Sequence, residues 1–203
     1  MNASVQFLFD FGSPNAYLCH KVLPAIAART GVTVEYVPIL LGGLFKLANN
    51  RSPVEVYADV PNRRAYDMLE IKRFVLKHGI GQFRMNPFFP VNTLHLMRAA
   101  VAAESMGCFG LYMATMFAAM WEEERNLNAP AEVLAALNSA GLDGKALLEG
   151  SQLPEVKAKL MANTQSAFER GAFGSPTFFV GDEMFFGKDR LQDVELAIVT
   201  QKH

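Results

Sequence analysis

The sequence predicts an α/β protein in which the two ends of the chain share one sheet and a long, wholly helical segment is inserted between them. Three observations predict it. The N-terminal end reads strand, helix, strand; the C-terminal end reads strand, strand, helix; and the stretch between carries helical periodicity with no strand signal of comparable strength. Residues 5–11, VQFLFDF, form a β-branched and aromatic run that stops at Gly12-Ser13-Pro14, which predicts the first strand. Residues 15–29 then place Tyr17, Leu18, Val22, Leu23 and Ile26 at helical spacing. Ser13 suits the N-cap, where a side-chain oxygen accepts a free N–H, and Pro14 suits the first helical position, where the missing N–H is not needed. Gly31 stops the helix. Residues 32–39, VTVEYVPI, alternate as a second strand, parallel to the first with the helix as crossover.

The pattern turns helical from residue 42 to residue 170, with helices expected at roughly 62–78, 91–106, 110–124, 130–139, 144–149 and 154–170. Strands return at 177–180 and 183–186 around a Gly181-Asp182 hairpin turn, followed by a helix over 188–200. This order is that of a thioredoxin-like fold split by an insertion. Residues 1–41 and 171–203 are assigned to the thioredoxin-like domain and residues 42–170 to the helical insertion domain.

Bulk properties exclude several function classes. With 51% hydrophobic and 19% charged residues over 203 positions, the chain has the material for one sizeable core. Nineteen basic against 20 acidic residues leave a net charge of −1, without the basic stripe that neutralises phosphates, so no nucleic-acid partner is expected. The start, MNASVQFLFDFGSP, has neither a basic leader nor a long apolar segment, and apolar stretches such as 111–121 fall short of the about 20 residues a bilayer span needs. A cytoplasmic protein without a membrane partner is the expectation. Cys19 and Cys108 sit in no C-x-x-C pair, and Cys19 on the first helix reads as a small buried hydrophobe. His20, His78, His95 and His203 are scattered, so no metal site is expected. His78, before Gly79, reads as a helix end.

Three chain points converge in this topology. The first is Phe11-Gly12-Ser13-Pro14, where free N–H groups and the helix dipole favour a thiolate or carboxylate; equally, Ser13 serves there as a plain N-cap. The second is Gly174-Ser175-Pro176-Thr177 before the third strand, where a cis Ser175-Pro176 bond would turn the Ser175 backbone outward to pair with an extended peptide. The third is Phe186-Gly187-Lys188-Asp189-Arg190-Leu191, a strand end entering a helix. Its N–H groups suit a carboxylate and its Asp189 suits an ammonium; alternatively Asp189 caps its own helix and Lys188 and Arg190 are solvated.

Taken together, F-x-F-x-S-P near the N-terminus and G-S-P-T-F-F-V-G-D-E-x-F-F-G-x-D-R-L near the C-terminus, with helices between, resemble the bacterial 2-hydroxychromene-2-carboxylate isomerases. Those enzymes stand with the kappa-class glutathione transferases in the DsbA-like branch of the thioredoxin superfamily. The segments Leu40-Leu41-Gly42-Gly43-Leu44-Phe45-Lys46, Asn49-Asn50 and Asn86-Pro87-Phe88-Phe89-Pro90-Val91-Asn92-Thr93 are similar to that family's substrate-side loops. The resemblance implies glutathione as cofactor. In it, Ser13 contacts the thiol sulfur where a redox relative carries cysteine, Ser175 and Pro176 hold the cysteinyl part, and Phe186, Gly187, Lys188 and Asp189 hold the γ-glutamyl end. It further implies a small aromatic carboxylate substrate met by Lys46, Asn49, Asn50, Phe89 and Asn92, opening of a cyclic hemiketal acid to a benzylidenepyruvate in aromatic catabolism, and a homodimer. Phe89 falls where some relatives carry tyrosine. From the residues alone, Lys46 reads equally as a solvated loop lysine, Phe88 and Phe89 as packing aromatics, and Asn92 as a cap of the next helix. A kappa-like transferase or peroxidase, or a non-catalytic thioredoxin-like binding protein, are the competing functions.

Overall fold

The computed structural model describes residues 4–201; the expected outer domain limits and His203 lie outside them. Four strands form one sheet in the order β2-β1-β3-β4. β1 (Ser4–Phe9) pairs parallel with β2 (Thr33–Pro38) and antiparallel with β3 (Thr177–Val180), and β3 pairs antiparallel with β4 (Glu183–Phe186). Between β1 and β2 runs α1 (Pro14–Thr30), capped by the Ser13 side chain and closed by Gly31 in the left-handed conformation. Among the described residues no strand interrupts the segment between β2 and β3. It contains α2 (Leu41–Leu47), α3 (Pro53–Val56), α4 (Pro61–His78), α5 (Leu94–Ser105), α6 (Phe109–Trp121), α7 (Pro130–Ser139), α8 (Gly144–Gly150) and α9 (Pro154–Glu169). The thioredoxin-like fold with its helical insertion is therefore the observed architecture.

The two faces of the sheet follow from the period-2 geometry of strands. Val5, Phe7, Phe9, Phe178 and Val180 share one face with α1 and with α10 (Leu191–Thr200), and this layer is continuous with the interior of the helical insertion. Phe7 stacks on Phe178 at 5.1 Å between ring centroids, across a matched register. The opposite face carries Leu8 and Phe179, covered by Ala167 of α9 and Leu44 of α2. Insertion helices thus cover the Leu8 and Phe179 part of that side, while Met184 and Phe186 on β4 stay exposed. No helix among the described residues is long and apolar enough to cross a membrane.

Several expected boundaries move. β1 ends at Phe9 and not at residue 11, because Asp10 leaves the strand to accept backbone hydrogen bonds from Gly12 and Leu41. The stretch read as a substrate-side loop at 40–46 is mostly the helix α2, and α3 is a further short helix the pattern did not indicate. The helix expected from residue 91 starts at Leu94, and the last helix opens with a 3-10 turn, Lys188–Arg190. Cys19 is fully buried, where desolvation pushes its thiol well above its ordinary value. His78 ends α4 ahead of a left-handed Gly79.

Candidate active site

Ser13 lies at the N-terminus of α1, 5% exposed. Its hydroxyl oxygen accepts from the Ala16 N–H at 3.2 Å, the capping bond, and donates to the Ser175 carbonyl at 2.9 Å. The first and second expected motifs therefore meet across 162 residues of sequence. Ser175-Pro176 is cis, as is Phe89-Pro90, which the sequence did not mark. The expected wealth of free N–H groups at this turn is corrected by the structure. Pro14 has no N–H, the N–H of Ser13 is bonded to the Asp10 carbonyl and that of Gly12 to the Asp10 carboxylate. Asn15 keeps a free N–H as the second residue of the helix, and its side-chain Oδ1 is buried without a partner among the described residues.

The third motif needs correction as well. The Gly187 N–H, expected to face a ligand carboxylate, donates instead to the Pro176 carbonyl at 3.0 Å, locking the β4 end to the cis-proline loop. Gly187 adopts φ 94°, a region open to glycine. What remains for a carboxylate are the N–H groups of Lys188 and Asp189, which open the 3-10 turn and so lack intrahelical acceptors. Lys188 is not solvated: its side chain is 5% exposed, its ammonium lies 5.4 Å from the Phe74 ring centre and donates to Asp189 at 2.6 Å. Asp189 is 69% exposed, so its second oxygen stays open to solvent and to a ligand ammonium. A cleft of about 210 Å³ lies here between α4 and the start of α10, lined by Glu70, Arg73, Lys77, Lys188 and Asp189 among others. Phe186 closes on the loop before the cis bond, its ring 4.5 Å from Phe173. Gly174 leaves room for it, since a Cβ there would come within 2.8 Å of the ring.

The residues expected on the substrate side come from the end of α2 and from the segment leading into α5. Lys46 is exposed in the last turn of α2. Asn49 follows with φ 49°, a left-handed position asparagine tolerates, which explains its residue type by backbone alone. Asn50 donates from its side chain to the Phe173 carbonyl at 3.0 Å, tying the α2 end to the loop before Ser175. Phe89 is half-buried against Trp121 at 5.8 Å, and Trp121 donates from Nε1 to the Phe11 carbonyl at 2.8 Å, linking that aromatic wall to the Ser13 turn. Asn92 is exposed and accepts from the Leu94 N–H, so it does cap the start of α5.

One buried group escaped the sequence reading altogether. Asp10 is fully buried beneath the Ser13 turn, where desolvation raises its carboxyl above the ordinary range against three hydrogen bonds that lower it: from the N–H groups of Leu41 and Gly12 and from the Thr93 side chain. The only sequence signal was an acidic residue at the end of an otherwise apolar run.

Comparison with known proteins agrees with this architecture. Residues 4–199 match the DSBA-like thioredoxin domain family. The chain is 30% identical over 204 residues to 2-hydroxychromene-2-carboxylate isomerase of Pseudomonas putida, covering 96% of this chain and 93% of that protein. To the enzyme of the same name from Sphingobium xenophagum it is 27% identical over 205 residues, covering 96% and 97%. Glutathione S-transferase kappa 1 of Rattus norvegicus is 25% identical over 201 residues, covering 93% and 87%. A solved structure of a 2-hydroxychromene-2-carboxylate isomerase superposes with a TM-score of 0.82 at 26% identity, covering 98% of this chain and 96% of that one. The chain thus belongs to the DsbA-like thioredoxin family, with the 2-hydroxychromene-2-carboxylate isomerases as its kin within it, and is an enzyme of the isomerase class.

Proposed function

We propose that this enzyme uses glutathione to interconvert 2-hydroxychromene-2-carboxylate and trans-o-hydroxybenzylidenepyruvate, or a closely related aromatic acid. The observation that carries the reading is the Ser13 hydroxyl, buried at a helix N-terminus and 2.9 Å from the carbonyl of a cis-proline loop. A cysteine there would do redox chemistry; a serine cannot form a mixed disulfide. It can donate a hydrogen bond to another molecule's sulfur and favour its charged form, aided by the helix dipole. The residues present fit glutathione. The exposed Asp189 oxygen suits its ammonium, and the Lys188 and Asp189 N–H groups suit the γ-glutamyl carboxylate. The Ser175 and Pro176 backbone takes the cysteinyl part, with Phe186 and Gly187 closing the side.

When bound, glutathione supplies a thiolate that adds reversibly to a conjugated double bond, so that rotation about the resulting single bond becomes possible. The chain's own residues orient the partners. Lys46 with Asn49 or Asn50, at the end of α2, meets the substrate carboxylate, Asn92 lies at the start of α5, and the Phe89 ring on Trp121 forms an apolar wall for the aromatic ring. The test is turnover of 2-hydroxychromene-2-carboxylate by enzyme freed of glutathione and then resupplied. Activity that appears only on resupply is expected; full turnover without glutathione, or none with it, overturns the reading.

A further inference from the structure

We propose that Asp10 is a positioning residue, a buried clamp that holds both substrate-side helix starts in register with the Ser13 turn. It rests on the substrate reading above for what those helices do, and on the hydrogen bonds alone for the clamp itself.

The carboxylate lies at the end of β1, the strand that leads into α1. Oδ1 accepts from the Gly12 N–H and Oδ2 from the Leu41 N–H, both at 2.8 Å. Leu41 is the first residue of α2, and its preceding N-cap position is Leu40, a side chain with nothing to accept a hydrogen bond. That helix start is therefore capped from another element. At α5 the reverse holds. Its N-cap residue is Thr93, a residue type that ordinarily bonds its own helix, yet its side chain makes no capping bond there and is spent on Asp10. The cap of that helix falls to Asn92 instead. Two helix starts thus depart from local capping chemistry in ways that converge on one carboxylate.

Close approach enforces the arrangement. A Cβ at Gly12 would come within 3.1 Å of Thr93 Cγ2 and 3.3 Å of Asp10 Oδ1, so a glycine there lets the turn seat against both. The chemistry of the clamp also requires an ionised acid. All three partners are donors, and a carboxylate presents acceptors only. An asparagine could serve one N–H while turning its NH₂ toward the other.

The clamp sets the distance between the sulfur-binding serine and the residues proposed to meet the substrate: Lys46, Asn49 and Asn50 follow from α2, and Phe89 and Asn92 precede α5. The proposed glutathione contacts at Ser175, Phe186 and Asp189 belong to the C-terminal motif, to which the Asp10 side chain makes no hydrogen bond, and Ser13 is held by its N–H on the Asp10 main-chain carbonyl, a bond that a change of the Asp10 side chain keeps. Loss of the clamp should therefore misplace substrate and leave glutathione binding nearly intact.

The experiment compares wild type, Asp10→Asn and Thr93→Val, the last removing one donor while keeping the carboxylate. Steady-state kinetics at saturating glutathione, calorimetric glutathione affinity and amide hydrogen exchange are measured on each. For Asp10→Asn the expected result is a rise of about tenfold in KM for the aromatic acid, a glutathione Kd within twofold of wild type, and faster exchange in segments 40–47 and 92–97. Thr93→Val should show the same pattern, smaller in KM and confined to 92–97. Unchanged exchange in those segments, or glutathione affinity lost in parallel with KM, overturns the clamp. If Asp10→Asn does not fold, Thr93→Val decides alone by the same two criteria. A wild type that fails to turn over the aromatic acid refutes the substrate reading instead, while exchange still tests the clamp.

Discussion

Removing the Ser13 hydroxyl separates two roles of one atom, and their sizes follow from its two hydrogen bonds. In Ser13→Ala the helix loses a cap, worth about 1 kcal/mol, and the Ser175 carbonyl loses a donor, worth about 1 kcal/mol net. A loss of about 2 kcal/mol leaves a protein of ordinary stability folded. The effect on bound glutathione comes from the donor half. A hydrogen bond to a charged sulfur is worth roughly 1.5–3 kcal/mol, and making it here breaks the bond to Ser175, which returns about 1 kcal/mol. The net preference for thiolate is roughly 0.5–2 kcal/mol, and at about 1.4 kcal/mol per pKa unit the thiol of bound glutathione should titrate roughly 0.4–1.5 units higher in the variant. Thiolate absorbance against pH, on both proteins saturated with glutathione, measures this directly, and isomerisation near neutral pH should slow in proportion. Ser13→Cys, whose thiol still donates, should retain part of the activity. Identical thiol titrations in wild type and Ser13→Ala would falsify the role given to the hydroxyl.

Asp189→Asn keeps an acceptor for the Lys188 ammonium and removes only the charge open to a ligand, so calorimetry should record glutathione binding roughly tenfold weaker, about 1.4 kcal/mol, in a folded protein; equal affinities would remove Asp189 from the site. Acid stability turns on His20, whose ring stacks on Phe117 at 4.9 Å with Nδ1 3.1 Å from the Tyr36 hydroxyl, and whose pKa is lowered to about 4 by burial and then by Lys21, with Glu122 opposing. Its neutral form is favoured in the folded chain, so it contributes stability above the unfolded value near 6.5 that is lost, by roughly 3 kcal/mol, as pH falls from there to about 4. Asp10 has the opposite sign, since a carboxyl held above its usual range takes up its proton first in the folded state, and acidification through that window favours folding. Urea midpoints at pH 7 and pH 4.5 should therefore fall less in His20→Phe than in wild type; parallel losses would show that His20 is not responsible.

The strands, most of the helices and the three motifs were legible because their signals are local: alternation in VTVEYVPI, helical spacing after Pro14, a capping serine, a glycine at a hairpin. What escaped the sequence depends on partners remote in the chain. α2 contains two glycines and follows a leucine that cannot cap, so local propensity argues against it. It forms because Asp10, 31 residues earlier, accepts from Leu41, and the Thr164 hydroxyl, 124 residues later, accepts from Leu40. Asp10 carries no local signal beyond being an acidic residue near the end of an apolar run, since its burial is created by elements brought together only on folding. Lys188 next to an aspartate on a turn reads as solvated; Phe74 of α4 gives its ammonium an aromatic neighbour in the interior.

Ser13 shows the same division within a single side chain. An N-cap uses only the acceptor capacity of the hydroxyl, and that much is written in the local sequence, where a serine before a proline and a helical run is expected whether or not the protein catalyses anything. The donor capacity is a separate resource that capping leaves unspent. It goes to the Ser175 carbonyl across the fold, and that is the bond the proposed role of Ser13 draws on. A cap alone would be satisfied by asparagine or aspartate in the same place. If the proposed function holds, aspartate would put a negative charge beside the thiolate, and asparagine would place a planar amide where a rotating hydroxyl is needed to exchange one acceptor for another. Serine keeps the helix closed through one half of its hydroxyl, and in the proposed function the proton of the other half turns from the Ser175 carbonyl to the glutathione sulfur.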